Sequence, residues 1–110
     1  MPLIAPNNVC NVLVTTEVDA DIRDEYIALS TETFDLFKSF KGFISGAIMK
    51  SEESNQVITV LQWETKADHL ACKDSPRWMT EGKPRFFELM ESGKIRLSPE
   101  VYSVVHAAKK

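Results

Sequence analysis

Phe43 to Lys50 reads FISGAIMK and Gln56 to Trp63 reads QVITVLQW, with Ser51-Glu52-Glu53-Ser54-Asn55 between them. Two β-prone runs separated by five polar residues predict two strands joined as an antiparallel hairpin. Upstream, Val9 to Val18 (VCNVLVTTEV) is rich in β-branched residues and free of Gly and Pro, which predicts a strand with neighbours on both sides. Alternation puts Cys10, Val12, Val14 and Thr16 on one face and Val9, Asn11, Leu13 and Thr15 on the other. Both faces are mostly apolar, so both are expected to be covered. Between this strand and the hairpin, Ile22, Tyr26, Leu29, Thr33, Phe37 and Phe40 recur at three- and four-residue steps. That spacing predicts an amphipathic helix of about five turns, with Asp19 and Asp21 supplying capping oxygens and Gly42 ending it as a left-handed cap.

Downstream of the hairpin, Thr65 is a capping residue for a second helix, with Ala67, Leu70 and Ala71 on one face. Ser75-Pro76 breaks that helical region and Pro84 breaks or bends it again before Phe86, Phe87, Leu89 and Met90, with Gly93 as its end. Lys94 to Leu97 and Val101 to Ala107 read as strand around Ser98-Pro99-Glu100. The order is an α+β arrangement, a ferredoxin-like βαββαβ antiparallel sheet with its helices on one face. The other face would then be bare and apolar, and packing it against a second copy in a dimeric α+β barrel removes that exposure. The division expected is an N-terminal arm over residues 1–8, a single domain over 9–107 and a tail over 108–110.

The chain has 110 residues, 44% hydrophobic and 26% charged, with 13 Lys and Arg against 16 Asp and Glu for a net charge of −3. One domain of this size holds one two-layer core, and a sizeable pocket is expected to borrow walls from a second subunit. Charges of both signs are scattered, so the basic stripe that nucleic acid requires is missing. Met1 to Thr16 is uncharged but broken by Pro2, Pro6, Asn7, Asn8 and Asn11, which predicts neither signal peptide nor membrane span; the cytoplasm is the expected compartment. Cys10 and Cys72 are expected to be free thiols. No phosphate loop, Ser-His-Asp order or paired-carboxylate constellation stands in the sequence, and no redox-cofactor site, so no cofactor is expected. His69 and Cys72 share a helical face at metal-ligand spacing, but two ligands without a third do not define a metal site.

Lys41-Gly42-Phe43-Ile44-Ser45, a polar hairpin, and then Val60-Leu61-Gln62-Trp63-Glu64-Thr65-Lys66 opening a helix resemble the antibiotic biosynthesis monooxygenase (ABM) domain, over about Val9 to Val105. The resemblance implies a dimeric α+β barrel with a cleft between sheet and helices in each subunit. It also implies one of the family's chemistries: cofactor-independent oxygenation of aromatic anthrones, quinol oxygenation or haem degradation. The tryptophan of the anthrone-oxygenase site matches Trp63. The asparagine four residues earlier is Thr59 here, the tyrosine six residues later falls on His69, and the arginine's approximate position is Gly82, with Lys83 beside it. An asparagine on the first strand of the haem-degrading branch matches Asn11, but that branch's tryptophan and axial histidine fall near Cys72 and Gly82, so its haem ligand is absent.

The expected site therefore has His69 as general base and Asn11, Thr59 and Trp63 as substrate-binding residues, in a cleft between sheet and helices. For each there is a plainer role. Asn11 could bond to backbone or across strands, Trp63 could be core, and His69, like His106 on the last strand, could be structural or solvated. Asn11 reaches the cleft only if the Val9, Asn11, Leu13 face is turned to the helices. Arg77, Trp78 and Lys83 could edge the cleft. The function expected is cofactor-independent monooxygenation of a small aromatic or quinol-like molecule by a homodimer, without nucleic-acid or membrane partners. The alternatives are a non-catalytic small-molecule-binding dimer of the same fold or a haem-degrading relative.

Overall fold

The computed structural model describes residues 9–110, and the arm expected over 1–8 lies outside them. Strand β1 (Cys10–Val18) runs into a 3-10 turn over Ala20–Ile22 and then helix α1 (Arg23–Phe37). Strands β2 (Phe43–Lys50) and β3 (Gln56–Trp63) follow as the expected antiparallel hairpin. Helix α2 (Lys66–Lys73), a π-helical turn over Trp78–Gly82 and helix α3 (Lys83–Glu91) lead to strand β4 (Ile95–Tyr102). The sheet order is β2-β3-β1-β4, all antiparallel. This is the ferredoxin-like βαββαβ arrangement, with β1 and β3 central as the unbroken apolar runs require.

Four local expectations change. Helix α1 is 15 residues long and stops at Phe37, and neither Asp19 nor Ile22 makes a side-chain cap. Gly42 does take a left-handed conformation (φ 85°), but as the lead-in to β2 rather than as the helix cap. A side chain there would overlap the Asp68 carboxyl group, so the position also needs glycine for space. The last strand is continuous from Ile95 through Pro99, which faces Val14 of β1, and it ends at Tyr102 instead of running to Ala107. An edge strand has a free side that tolerates a residue without an N–H, which is why Pro99 does not interrupt it.

The fourth change concerns α2. Thr65 caps it as expected, its hydroxyl accepting from the Asp68 N–H at 3.0 Å. Its buried face, however, is formed by His69 and Cys72, while Ala67, Leu70 and Ala71 face outward. Two clusters fill the layer between sheet and helices: Cys10, Val12, Phe37, Leu61, Trp63 and Cys72 at one end, and Val18, Tyr26, Val57 and Ile95 at the other. Among the described residues no helix is long and apolar enough to cross a membrane.

Candidate functional site

Between those clusters lies a cavity of about 540 Å³. A void of that size is in the range that holds a small organic molecule. Its sheet wall is the inward row Val12, Val14, Thr59, Leu61 and Trp63, the face opposite Asn11 and Leu13. Helix α1 adds Tyr26, Ser30, Thr33, Phe34 and Phe37, because their three- and four-residue spacing keeps one stripe against the sheet. Helix α2 adds His69 and Cys72. Further wall comes from Trp78 and Met79 of the π turn, Lys83, Phe86, Phe87 and Met90 of α3, and Leu97 and Pro99 of β4, with Lys73 and Asp74 at the end of α2.

Trp63 is completely buried and sits among rings: Phe43 at 5.2 Å and Phe37 at 6.0 Å, both edge-on, and His69 at 6.0 Å with the planes at 45°. The His69 pKa is lowered by burial and by the nearby positive charges of Lys73 and Lys66. Its imidazole is therefore neutral and able to accept a proton at neutral pH. Burial raises the thiols, Cys72 to about 11 and Cys10 in the same direction, so both stay protonated and neither is a ready nucleophile. Both are free cysteines, as expected. Among the described residues no group of three metal-ligating side chains forms, and His69 and Cys72 share the cavity wall without a third ligand.

Trp78 stacks against Phe37 at 5.4 Å and Phe86 at 6.2 Å. It fits because residue 82 is glycine: a β-carbon at Gly82 would overlap the Trp78 ring. The place that resemblance would give to an arginine is thus filled by an indole, with Lys83 beside it in the lining. Arg77 turns away, bonding Glu81 at 3.0 Å and Ser39 at 2.9 Å.

Of the four expected site residues, Thr59, Trp63 and His69 line one cavity and Asn11 does not. The Cys10, Val12, Val14 face is the one turned to the helices, so Asn11 lies on the far side of the sheet, which corrects the expectation for it. There its amide is used structurally. Gln62 Nε2 donates to Asn11 Oδ1 at 2.9 Å, and Asn11 Nδ2 donates to the carbonyls of Val9 and Tyr102 at 3.4 Å. Ser45 Oγ extends the chain by donating to Gln62 Oε1 at 2.9 Å. Ser30 was not among the expected residues, although it stands one turn after Tyr26 on the predicted inward stripe, a placement that could have drawn attention to it.

No family model matches the chain, and neither does any curated protein sequence. Solved structures do match in fold. SnoaB from Streptomyces nogalater, a cofactor-independent oxygenase, superposes with a TM-score of 0.77 at 10% identity, over 94% of this chain and 100% of that one. A candidate antibiotic biosynthesis monooxygenase from Nitrosomonas europaea gives 0.71 at 12% identity, over 97% and 100%. Rv0793 from Mycobacterium tuberculosis gives 0.70 at 12% identity, over 92% and 99%. The chain has the fold of these proteins along nearly its whole length.

Proposed function

We propose that the protein is a cofactor-independent monooxygenase that acts on a small aromatic or quinol-like molecule, with His69 as general base and Trp63 and Thr59 as substrate contacts. The observation that carries this reading is a ring-lined cavity in which a neutral imidazole stands 6.0 Å from a buried indole. The shared fold with a cofactor-independent oxygenase supports it.

In such chemistry the substrate supplies the electrons. His69 takes a proton from an acidic C–H or O–H of the bound ring, and the electron-rich anion passes one electron to dioxygen. The radical pair joins through a C–O bond as a peroxide anion, which takes the proton back from His69 to become the hydroperoxide. His69 then removes the second proton of that carbon as the O–O bond breaks, and hydroxide leaves with that proton as water, so that CH₂ plus O₂ gives C=O plus H₂O. The protein's part is deprotonation, orientation and exclusion of water. Indole N–H donation to the ring oxygen would favour the anion.

The protein is further proposed to work as a homodimer through the outer sheet face. Leu13, Ala47, Ile58 and Val60 are only half-buried there and Met49 is exposed, leaving an apolar surface without cover among the described residues. Light scattering is expected to give twice the 12.4 kDa chain mass, and a stable monomer would contradict the barrel.

The test of activity is oxygen uptake with anthrones and hydroquinones in the absence of added metal, flavin or haem. Turnover lost in His69→Ala, with binding weakened but turnover retained in Trp63→Phe, is the expected pattern. Tight binding without oxygen uptake on any of them would point to a non-catalytic carrier.

A further inference from the structure

Residues 75–82 join α2 to α3 and are held to the rest of the molecule unevenly. Their helical ladder is weak at both ends. Ser75 lies outside the helices, and Pro76 and Pro84 have no N–H to give. Between the prolines the Lys83 N–H reaches back five residues to the Trp78 carbonyl, the wide π spacing that interrupts a helix and recurs at functional sites. Two side-chain bonds stay inside the segment, from Thr80 Oγ1 to the Pro76 carbonyl at 2.8 Å and from Arg77 Nε to Glu81 at 3.0 Å. Among the described residues, one hydrogen bond leaves it for a part of the chain other than the flanking helices: Arg77 Nη1 donates to Ser39 Oγ at 2.9 Å, and that bond is exposed. The same guanidinium lies over the Phe40 ring at 5.7 Å.

On the inner side the wall is made by the next residue. The Trp78 ring lies against Phe37 and Phe86 with planes at 31° and 34°, and it packs on the cluster that holds Trp63 and Cys72. Gly82 leaves room for the ring in that position. The end of α1 and the residues after it thus grip the segment twice, Phe37 taking the indole and Ser39 and Phe40 the neighbouring guanidinium. The first grip is non-directional packing and the second is a solvent-exposed bond, and both can be released without unfolding a strand.

We infer that residues 75–82 are a movable wall of the cavity, with Trp78 as its leaf and Arg77 as the positioning residue that latches it to the end of α1. Opening uncovers the end of the cavity where Cys72 and His69 stand, and closing shuts water out. The inference rests on the reading of the cavity as a substrate site only for the use of the motion: a base that works on an anion kept from water needs a way in and out for its substrate. Arg77 is not in the lining, so removing its side chain frees the wall without changing any group that faces the cavity.

Cys72 reports the opening without any ligand. It is 3% exposed and lines the cavity, whereas Cys10, 6% exposed in the same cluster, sits on the central strand β1 outside the lining. Labelling with N-ethylmaleimide at a series of low urea concentrations, read by peptide mass spectrometry, follows the two thiols separately. In the wild type Cys72 is expected to react faster than Cys10 and at a rate that barely depends on urea, because a local opening exposes little surface, while Cys10 waits for global unfolding and its rate climbs steeply. Arg77→Ala and Ser39→Ala, each losing the latch bond, should speed Cys72 labelling without urea roughly three- to tenfold, the population change worth one net hydrogen bond, and keep its dependence on urea flat. Cys72 that reacts only as fast as Cys10 and climbs with urea as steeply would mean that nothing but unfolding exposes it, and would overturn the inference. So would wild-type Cys72 reacting as fast as in the unfolded chain, since no wall would then cover it, or a Cys72 rate unchanged in either variant. No substrate takes part, so failure here leaves the proposed activity standing, and absence of oxygen uptake leaves the wall standing.

Discussion

The two faces of one sheet treat their polar side chains in opposite ways. On the outer face Ser45, Gln62 and Asn11 form a hydrogen-bonded chain across β2, β3 and β1 that ends on the Tyr102 carbonyl of β4. Every link is between parts of the protein, so the chain ties four strands together and has a structural purpose. On the inner face the buried Trp63 N–H has no hydrogen-bond partner. Buried polarity that is closed on itself holds a fold together, whereas buried polarity left open beside a void is a place for something else to bind. The alternation of a strand puts these two behaviours one residue apart, at Gln62 and Trp63.

That contrast can be broken from either side. The largest effect expected is from Gly82→Ala, where the new methyl group would overlap the Trp78 ring in the cavity wall. Overpacking should cost about 3 kcal/mol in urea unfolding and, because Trp78 has nowhere to move but the cavity or solvent, ligand affinity should fall as well. Unchanged stability would mean that the Trp78 wall is looser than the packing implies.

On the outer face, Asn11→Ala should cost about 2 kcal/mol, because the buried Gln62 amide loses this acceptor. Ligand affinity per folded molecule should not change, and a loss of affinity without loss of stability would return Asn11 to the site.

The smallest effect expected is with pH. The His69 pKa is lowered in the folded protein, first by burial and then by Lys73 and Lys66, so the unfolded chain binds the proton more readily. Stability contributed by the neutral imidazole is full above the ordinary histidine pKa and falls as pH drops below it towards the folded value. His69→Gln should flatten that part of the stability curve. Turnover should show an acid limb below the ordinary histidine pKa, and Lys66→Gln should move it upward by removing one of the charges that depress it.

Much of this was legible in the sequence, and the parts that were not have physical reasons. Phe43–Lys50 and Gln56–Trp63 are strands to the residue, because each run is flanked by polar or glycine positions that leave no choice of ends. Trp63 and His69 were expected at one mouth and share it, since a strand end and the first turns of the next helix are held close by the short Glu64-Thr65 link. The face of β1 was not legible. Both of its rows are apolar, so alternation shows that two faces exist without saying which one meets the helices, and Asn11 was assigned to the wrong one. In α2 the sequence Lys-Ala-Asp-His-Leu-Ala-Cys-Lys offers a stripe of Ala67, Leu70 and Ala71 with a single large side chain, too little to decide the face, and the helix instead turns His69 and Cys72 inward and leaves Leu70 exposed. Ser30 has no chemical signature at all. It is a serine in a helix, and only the fold sets its hydroxyl beside that of Tyr26.

The central claim is that the inner face carries the chemistry and the outer face the structure. Oxygen uptake by wild type, His69→Ala and Asn11→Ala, each corrected for its folded fraction on one turned-over anthrone or hydroquinone, tests it most directly. The account predicts a loss of roughly 10²–10⁴-fold for His69→Ala, the usual cost of removing a general base, and wild-type turnover for Asn11→Ala. Full activity in His69→Ala, or a comparable loss in Asn11→Ala, would contradict it.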